Sequence, residues 1–396
     1  MNEGTVILKP GREKPVLRRH PWIFSRAIQE VQNASPGGIV RVLSHAGEFL
    51  ARGYFNPHSQ IRVRLLSWNP DEIIDSDFWL RRIEAAWIRR DESVRGSATA
   101  WRAIHAESDE LPGLIVDVYD RWLVVQVLTL GIERALDDIV AGLVHVARPL
   151  GILERSDVDV RTREGLEKRT GLLWGEAPPS LVEIQEDDYR FWVDLWHGQK
   201  TGFFLDQRVN RERVAAFAAG RTVLNAFSYT GAFAVHMLGA GATHVINIDT
   251  SAEALNLAAN NLVHNGFGPD LWENIQGDVF QTLREYWRAG RTFDMIILDP
   301  PKFATHRRAL MRATRGYKDI NLLAFRLLAP DGILATFSCS GLISADLFQK
   351  IVFGASVDAR RDAQILSFLD QAPDHPVRLS FPEGRYLKGL ILRRLT

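Results

Sequence analysis

The stretch TVLNAFSYTG, residues 222–231, reads as a strand running into a short polar loop closed by a glycine. An apolar run, AFAVHMLG, follows at once, so a helix is expected from about Ala232. The same alternation recurs downstream. THVINI ends at Asp249, and Thr250-Ser251 is suited to cap a helix with Ala254, Leu255, Ala258, Ala259 and Leu262 on one face. ENIQG runs into Asp278, FDMIILD ends at Asp299 before Pro300-Pro301-Lys302, and GILATFS ends at Cys339. Strands alternating with helices predict an α/β fold with a parallel, doubly wound sheet and a ligand at the carboxyl ends of the strands.

That rule lines up Asn225, Asp249, Asp278, Asp299 and Cys339 along one rim. Asp249 lies 18 residues beyond Gly231, where a carboxylate accepts hydrogen bonds from a ribose diol. The diol alone does not separate a dinucleotide from S-adenosylmethionine. The loop does help, because NAFSYTGAF has one glycine where a pyrophosphate cradle needs G-x-G-x-x-G. A cofactor without phosphate needs no such cradle, so S-adenosylmethionine is the expected ligand.

Composition limits the chemistry further. Cys339 is the only cysteine in 396 residues, which excludes an internal disulfide and a cysteine-ligated cluster and suits a reducing cytoplasm. No H-E-x-x-H spacing occurs, and no metal is expected. The first residues lack the apolar core of a signal peptide and no run of about 18 apolar residues occurs, so a cytoplasmic protein is expected. Net charge is zero, yet residues 1–64 carry ten Lys and Arg against four Glu. This basic front contains short β-like runs (TVILK, GIVRVLS, EFLARGYF, IRVRLLS) between Pro and Gly, with HPWIFS between the first two. A basic face with aromatics can follow a phosphate backbone, and a solvated face over an aromatic core fits the same composition.

From Asp75, DSDFWLRRIEAAWIRRDE predicts an amphipathic helix. A β-hairpin or meander is expected over TAWRAIHAESDELPGLIVDVYDRWLVVQVLTL, one helix through ERALDDIVAGLVHVARPL, and a further strand at GILERSD. Residues 161–190 are polar and punctuated by Pro and Gly, as a boundary should be. The expected domains are 1–72, 73–185 and 186–396.

The stretch Gly198-Gln199-Lys200-Thr201-Gly202-Phe203-Phe204-Leu205-Asp206-Gln207-Arg208, together with NAFSYTGAF, LDPPKF and FSCSG, resembles the bacterial large-subunit (23S) ribosomal RNA cytosine-5 methyltransferases that carry an N-terminal PUA domain. HPWIFS at the front and PEGRYLKG near the end extend the resemblance over the whole chain. It implies a Rossmann-like class I methyltransferase domain preceded by a β-rich PUA domain and a small α+β domain, with ribosomal RNA as partner. Asn225 and the 227–231 loop, with Phe227, Thr230 and Gly231, would hold the methionine part of the cofactor, Asp249 the ribose and Asp278 the adenine. Phe204 would join the cofactor site. Asp299 and Pro300 would border both cofactor and target base, Asp299 would act on the base, and Cys339 would be the nucleophile.

Residues 304–321, ATHRRALMRATRGYKDIN, follow that base pocket and carry Arg307, Arg308, Arg312, Arg315 and Lys318. With Lys302 they are expected to meet RNA, although a run of charge also serves as a plain solvated face. Many RNA cytosine-5 enzymes carry a second cysteine just after the two prolines, and here Lys302-Phe303 stands in that region. Two other readings stay open: methylation of a guanine nitrogen or exocyclic amine, and a non-catalytic RNA-binding assembly factor in which Cys339 is core packing. Lys302 counts against the first, since amino-methylating enzymes place an aromatic residue after the prolines.

Overall fold

Period-two alternation puts Val6 and Leu8, Val40 and Val42, and Val63 and Leu65 on the buried face of a sheet. The computed structural model describes residues 3–304 and 306–395, apart from the side chains of Glu92, Ser93 and Arg307. The chain divides into two units. The first comprises Met1–Asp187, Val193–Leu205 and Pro373–Gly384; the second comprises Asp188–Trp192, Asp206–Ala372 and Arg385–Thr396.

In the first unit a six-stranded sheet runs in the order Trp22–Phe24, Ile61–Ser67, Phe49–Phe55, Ile39–Leu43, Gly4–Leu8, Ile28–Gln32. A five-stranded sheet, ordered Arg169–Gly175, Gly151–Ser156, Trp122–Val127, Leu114–Tyr119, Ala100–His105, packs against helices Ser76–Ile88 and Leu136–Ala147. Asp75 caps the first of these helices by accepting the Phe78 N–H at 2.9 Å. Two local expectations change. The helix expected through residues 133–150 is broken at Ala135, between Leu130–Arg134 and Leu136–Ala147. The polar stretch 161–190 holds strands Arg169–Gly175 and Val182–Glu186, the former an edge strand with few buried side chains and therefore no apolar alternation to read.

A buried ionic cluster joins the two sheets of this unit. Glu164, 2% exposed, accepts from Asn56 Nδ2 at 2.8 Å, Ser59 Oγ at 2.6 Å and Arg64 Nη1 at 3.0 Å. Replacing Glu164 with alanine removes the nearer of two carboxylates from the buried Arg64 guanidinium, leaving Glu107 at 3.6 Å, and is expected to cost about 1–3 kcal/mol. Chemical denaturation of the full chain measures this, and a loss below about 1 kcal/mol would mean water replaces the carboxylate.

The second unit contains the alternating segment. Its elements are β1 (Thr222–Ala226), α1 (Ala232–Gly239), β2 (His244–Asp249), α2 (Ala252–His264), β3 (Trp272–Gln276), α3 (Val279–Arg288), β4 (Phe293–Leu298), α4 (Leu310–Leu327), β5 (Leu328–Ser338), α5 (Ala345–Ala359), β6 (Ala363–Asp370) and β7 (Lys388–Arg394). The seven strands are ordered β3-β2-β1-β4-β5-β7-β6. The first five run parallel and β7 is antiparallel to both of its neighbours. Residues such as Leu224, Ile246, Ile296 and Leu334 pack with α3, α4 and α5 on one face. The alternate residues, Asn225 and Asn247 among them, point to the opposite face and α2. No helix among the described residues is long and apolar enough to cross a membrane.

Candidate active site

The rim forms because a parallel strand ends where its apolar run ends. Asp249 is the last residue of β2, while Asp299 and Cys339 come directly after β4 and β5. Asp278 stands two residues past β3, and Asn225 is the penultimate residue of β1.

The loop after β1 is wound tightly. Phe227 and Tyr229 have φ of 62° and 48°, and Gly231 has φ of 76°. A side chain at Gly231 would place its Cβ 2.9 Å from Ala258 Cβ of α2. The Asp249 carboxylate fixes this loop, one oxygen accepting the Tyr229 N–H at 2.9 Å and the other the Ser251 N–H at 3.0 Å. Each oxygen keeps a further lone pair for a ligand hydroxyl. Beneath the loop Asn225 Nδ2 donates to Asn247 Oδ1 at 2.9 Å, Asn247 donates to Asn274 at 2.9 Å, and Asn274 donates to the Leu255 carbonyl at 2.8 Å. The three asparagines sit in register on adjacent strands. Asn225 is 1% exposed and supports the loop from below.

Ser228 Oγ and Thr230 Oγ1 are buried with no hydrogen-bond partner among the described residues. A hydroxyl buried this way costs about 1–3 kcal/mol unless a ligand completes it. Two such hydroxyls in one loop, beside the Asp249 carboxylate, fit a ligand with an amino acid end and a ribose. Asp278 Oδ1 caps α3 by accepting the Gln281 N–H at 2.9 Å. Phe204 belongs to the first unit, where the Lys200 ammonium lies 4.3 Å from its ring centroid.

The other half of the rim brings the loops after β4 and β5 together. Cys339 Sγ lies 3.9 Å from the Pro300 carbonyl oxygen. Ser340 Oγ accepts the Ala304 N–H at 3.3 Å and lies 3.1 Å from Tyr317 Oη of α4. The Phe303 ring packs at 4.7 Å from the Tyr317 ring and 5.9 Å from Phe280. Asp299 is half-buried, and its N–H reaches the Ala226 carbonyl at 3.4 Å, tying this loop to the end of β1. Burial raises the Tyr317 phenol above its ordinary range, so it acts as a neutral hydroxyl. Lys388 of β7, 6% exposed, donates to the carbonyls of Ser340 at 2.8 Å and Ile343 at 2.7 Å. Desolvation pushes its ammonium down to about 8.

Of the residues expected to meet a polyanion, Lys302, Arg308, Arg312 and Arg315 are exposed. Arg312 and Arg315 are spaced to share one side of the start of α4, and Arg308 lies in the turn that precedes it. Lys318 is paired with Asp358 of α5 at 2.7 Å. The Arg307 side chain lies outside the described residues. Tyr317, Ser340 and Lys388 were not among the candidates read from sequence. The available signal for Lys388 was a lysine within an otherwise apolar strand run, LKGLIL.

Residues 6–68 match the model of a PUA-like domain, and residues 161–391 match that of an S-adenosylmethionine-dependent methyltransferase. The chain is 49% identical over 394 residues to the ribosomal RNA large subunit methyltransferase I of Tolumonas auensis, covering 99% of each chain. It is 48% identical over 390 residues to the protein of that name from Aeromonas salmonicida, covering 98% of each. A solved putative S-adenosylmethionine-dependent methyltransferase from Streptococcus mutans shares the fold at 23% identity with a TM-score of 0.85, covering 98% of this chain and 99% of that one.

The loop after β1 gives one direct test. Gly231→Ala forces a side chain into the left-handed region, at about 1–2 kcal/mol, and against Ala258. Calorimetry should show S-adenosylhomocysteine binding weakened about tenfold. Unchanged affinity would remove this loop from the binding site.

Proposed function

The chain belongs to the ribosomal RNA large subunit methyltransferase I family of S-adenosylmethionine-dependent methyltransferases, and from that premise we propose that it methylates C5 of a cytosine in large-subunit ribosomal RNA through a transient bond between Cys339 and C6. The observation that carries this reading is the place of the chain's one thiol. Cys339 stands at the rim beside the Asp299-Pro300 loop, and the residue after it is tied to that loop through Ser340 and Ala304.

C5 of cytosine is too weakly nucleophilic to attack a methyl group unaided. When bound, S-adenosylmethionine supplies that methyl as an electrophile. Cys339 thiolate adds to C6, and the C5=C6 electron pair shifts into the ring toward N3. Asp299, facing the N3/N4 edge, stabilises the charge arriving there by donating a proton or hydrogen bond. C5, now enamine-like, would take the methyl group, the carbon–sulfur bond of the sulfonium breaking and S-adenosylhomocysteine leaving with that electron pair. Loss of the C5 proton to a base then restores the double bond and expels the thiolate. That base is not a second thiol, since the chain has none.

In this reading the loop residues Phe227, Thr230 and Gly231, supported by Asn225, hold the methionine end of the cofactor. Asp249 holds the ribose and Asp278 the adenine side, with Phe204, Asp299 and Pro300 completing the site. Lys302, Arg307, Arg308 and Arg315 meet the RNA backbone, and Lys318 joins them by exchanging Asp358 for a phosphate. The target base leaves its stack to reach the rim, so a single-stranded or loosened RNA region is the substrate. The division into a PUA-like domain (1–72), a middle domain (73–185) and a methyltransferase domain (186–396) belongs to the same proposal, as does a cytoplasmic location. The basic first domain supplies sequence-independent RNA affinity.

Nucleoside analysis of large-subunit ribosomal RNA after incubation with the protein and S-adenosylmethionine tests this. It should yield 5-methylcytidine. A methylated guanosine or N4-methylcytidine would support the nitrogen-methylating alternative, and no product despite cofactor binding would support a non-catalytic assembly factor.

A further inference from the structure

β7 runs antiparallel to β5 with Lys388 directly opposite Ser338, one residue before the thiol. From that position its ammonium reaches across the strand end and binds the carbonyls of Ser340 and Ile343, at 2.8 and 2.7 Å. These two carbonyls bracket the turn that leaves Cys339, so one cation holds the backbone on which the sulfur is mounted. Both contacts are to main-chain dipoles rather than to a carboxylate, and the positive charge therefore stays available to a neighbouring anion. Cys339 is the strongest of the charge partners acting on Lys388, and it acts to stabilise the ammonium. By reciprocity the ammonium stabilises the thiolate.

We propose that Lys388 is a positioning residue for the reaction: it straps the Cys339–Ile343 turn and, as a buried cation held on that turn, raises the fraction of Cys339 present as thiolate. This rests on Cys339 being the nucleophile. The other charged groups acting on Lys388 do not supply the same field. Asp370 and Arg385 are ion-paired, with Arg385 Nε 3.0 Å from Asp370 Oδ1, and so largely cancel, while Lys302 is exposed to solvent. Tyr317, which is also coupled to Cys339, stays neutral. Desolvation leaves Lys388 close to losing its proton just above neutral pH. The support it gives should fade as it deprotonates, which would set an upper limb on the pH profile of methyl transfer.

The single cysteine makes the test clean, because iodoacetamide reports on one thiol. The rate of alkylation against pH should give a thiolate midpoint below the ordinary value of about 8.5 in the unmodified protein. Lys388→Met removes both strap and charge, and Lys388→Gln keeps an N–H donor while removing the charge. Both should raise the midpoint by about one unit and slow alkylation at pH 7 about tenfold, whereas a purely structural role would leave the midpoint of Lys388→Gln unchanged. A wild-type midpoint at or above 8.5 overturns the proposal even if neither variant folds, as does an unshifted midpoint in a folded variant. Adduct formation with fluorinated RNA is read separately. A low, Lys388-dependent midpoint without an adduct keeps the effect of Lys388 on the thiol but removes the cytosine-5 reaction it would serve, and an adduct with an ordinary midpoint keeps that reaction and overturns the role of Lys388.

Discussion

Cys339→Ala is expected to abolish methyl transfer to large-subunit ribosomal RNA, with a loss of roughly four to six orders of magnitude in rate. No second thiol exists in the chain to take over the addition at C6. Without that addition C5 stays unreactive, so residual positioning by the pocket gives little turnover. Affinity for S-adenosylhomocysteine should stay within about twofold, because the contact of Cys339 is with the main-chain carbonyl of Pro300, which the substitution leaves in place. Single-turnover assays with tritiated cofactor, paired with calorimetry, read both quantities. Substantial turnover in a well-folded Cys339→Ala protein would move the thiol into the class of buried packing residues.

The second large effect is expected at Asp299. Its N–H helps to hold the loop after β4 to the Ala226 carbonyl, and this backbone bond survives any side-chain change. Asp299→Ala should therefore leave the fold intact while slowing methyl transfer about 10²–10⁴-fold, the usual range for removing a group that gives a proton to, or stabilises charge on, the reacting base. Asp299→Asn separates the two roles. An amide can still donate a hydrogen bond to N3 but cannot deliver a proton, so partial activity would assign hydrogen bonding and full loss would assign proton transfer. Unchanged activity in Asp299→Ala would exclude the side chain from the chemistry. Asp278→Ala should, by contrast, lower cofactor affinity and cost about 1 kcal/mol as the cap of α3 is lost.

The rim was legible because parallel strands buried on both faces are written as unbroken apolar runs, and the first polar residue after each run marks a carboxyl end. That logic placed Asp249, Asp299 and Cys339, and Ser251 was readable as a cap, accepting the Ala254 N–H at 3.0 Å. Where burial is one-sided or slight the pattern weakens. The exposed edge strand Arg169–Gly175 read as linker, and the break at Ala135 carries neither Gly nor Pro to announce it. The chemistry of pairing was harder still. Asn225, Asn247 and Asn274 lie 22 and 27 residues apart, and only the register of three strands makes them one ladder. Lysine in sequence reads as surface, so the burial of Lys388 behind the Cys339 turn needed the antiparallel return of β7 to be seen. Ser340 likewise gains its meaning from Ala304 and Tyr317, which reach it from distant parts of the chain.

The proposed reaction passes through a covalent bond between one sulfur and one ring carbon, and mass spectrometry can look for it directly. Protein, S-adenosylmethionine and 5-fluorocytosine-substituted large-subunit ribosomal RNA would be incubated together. Fluorine at C5 blocks the elimination that releases the enzyme. The predicted result is a stable protein–RNA adduct that maps to Cys339 and is absent from Cys339→Ala. Absence of any adduct, while unmodified RNA still gains a methyl group in the Cys339→Ala protein, would contradict it.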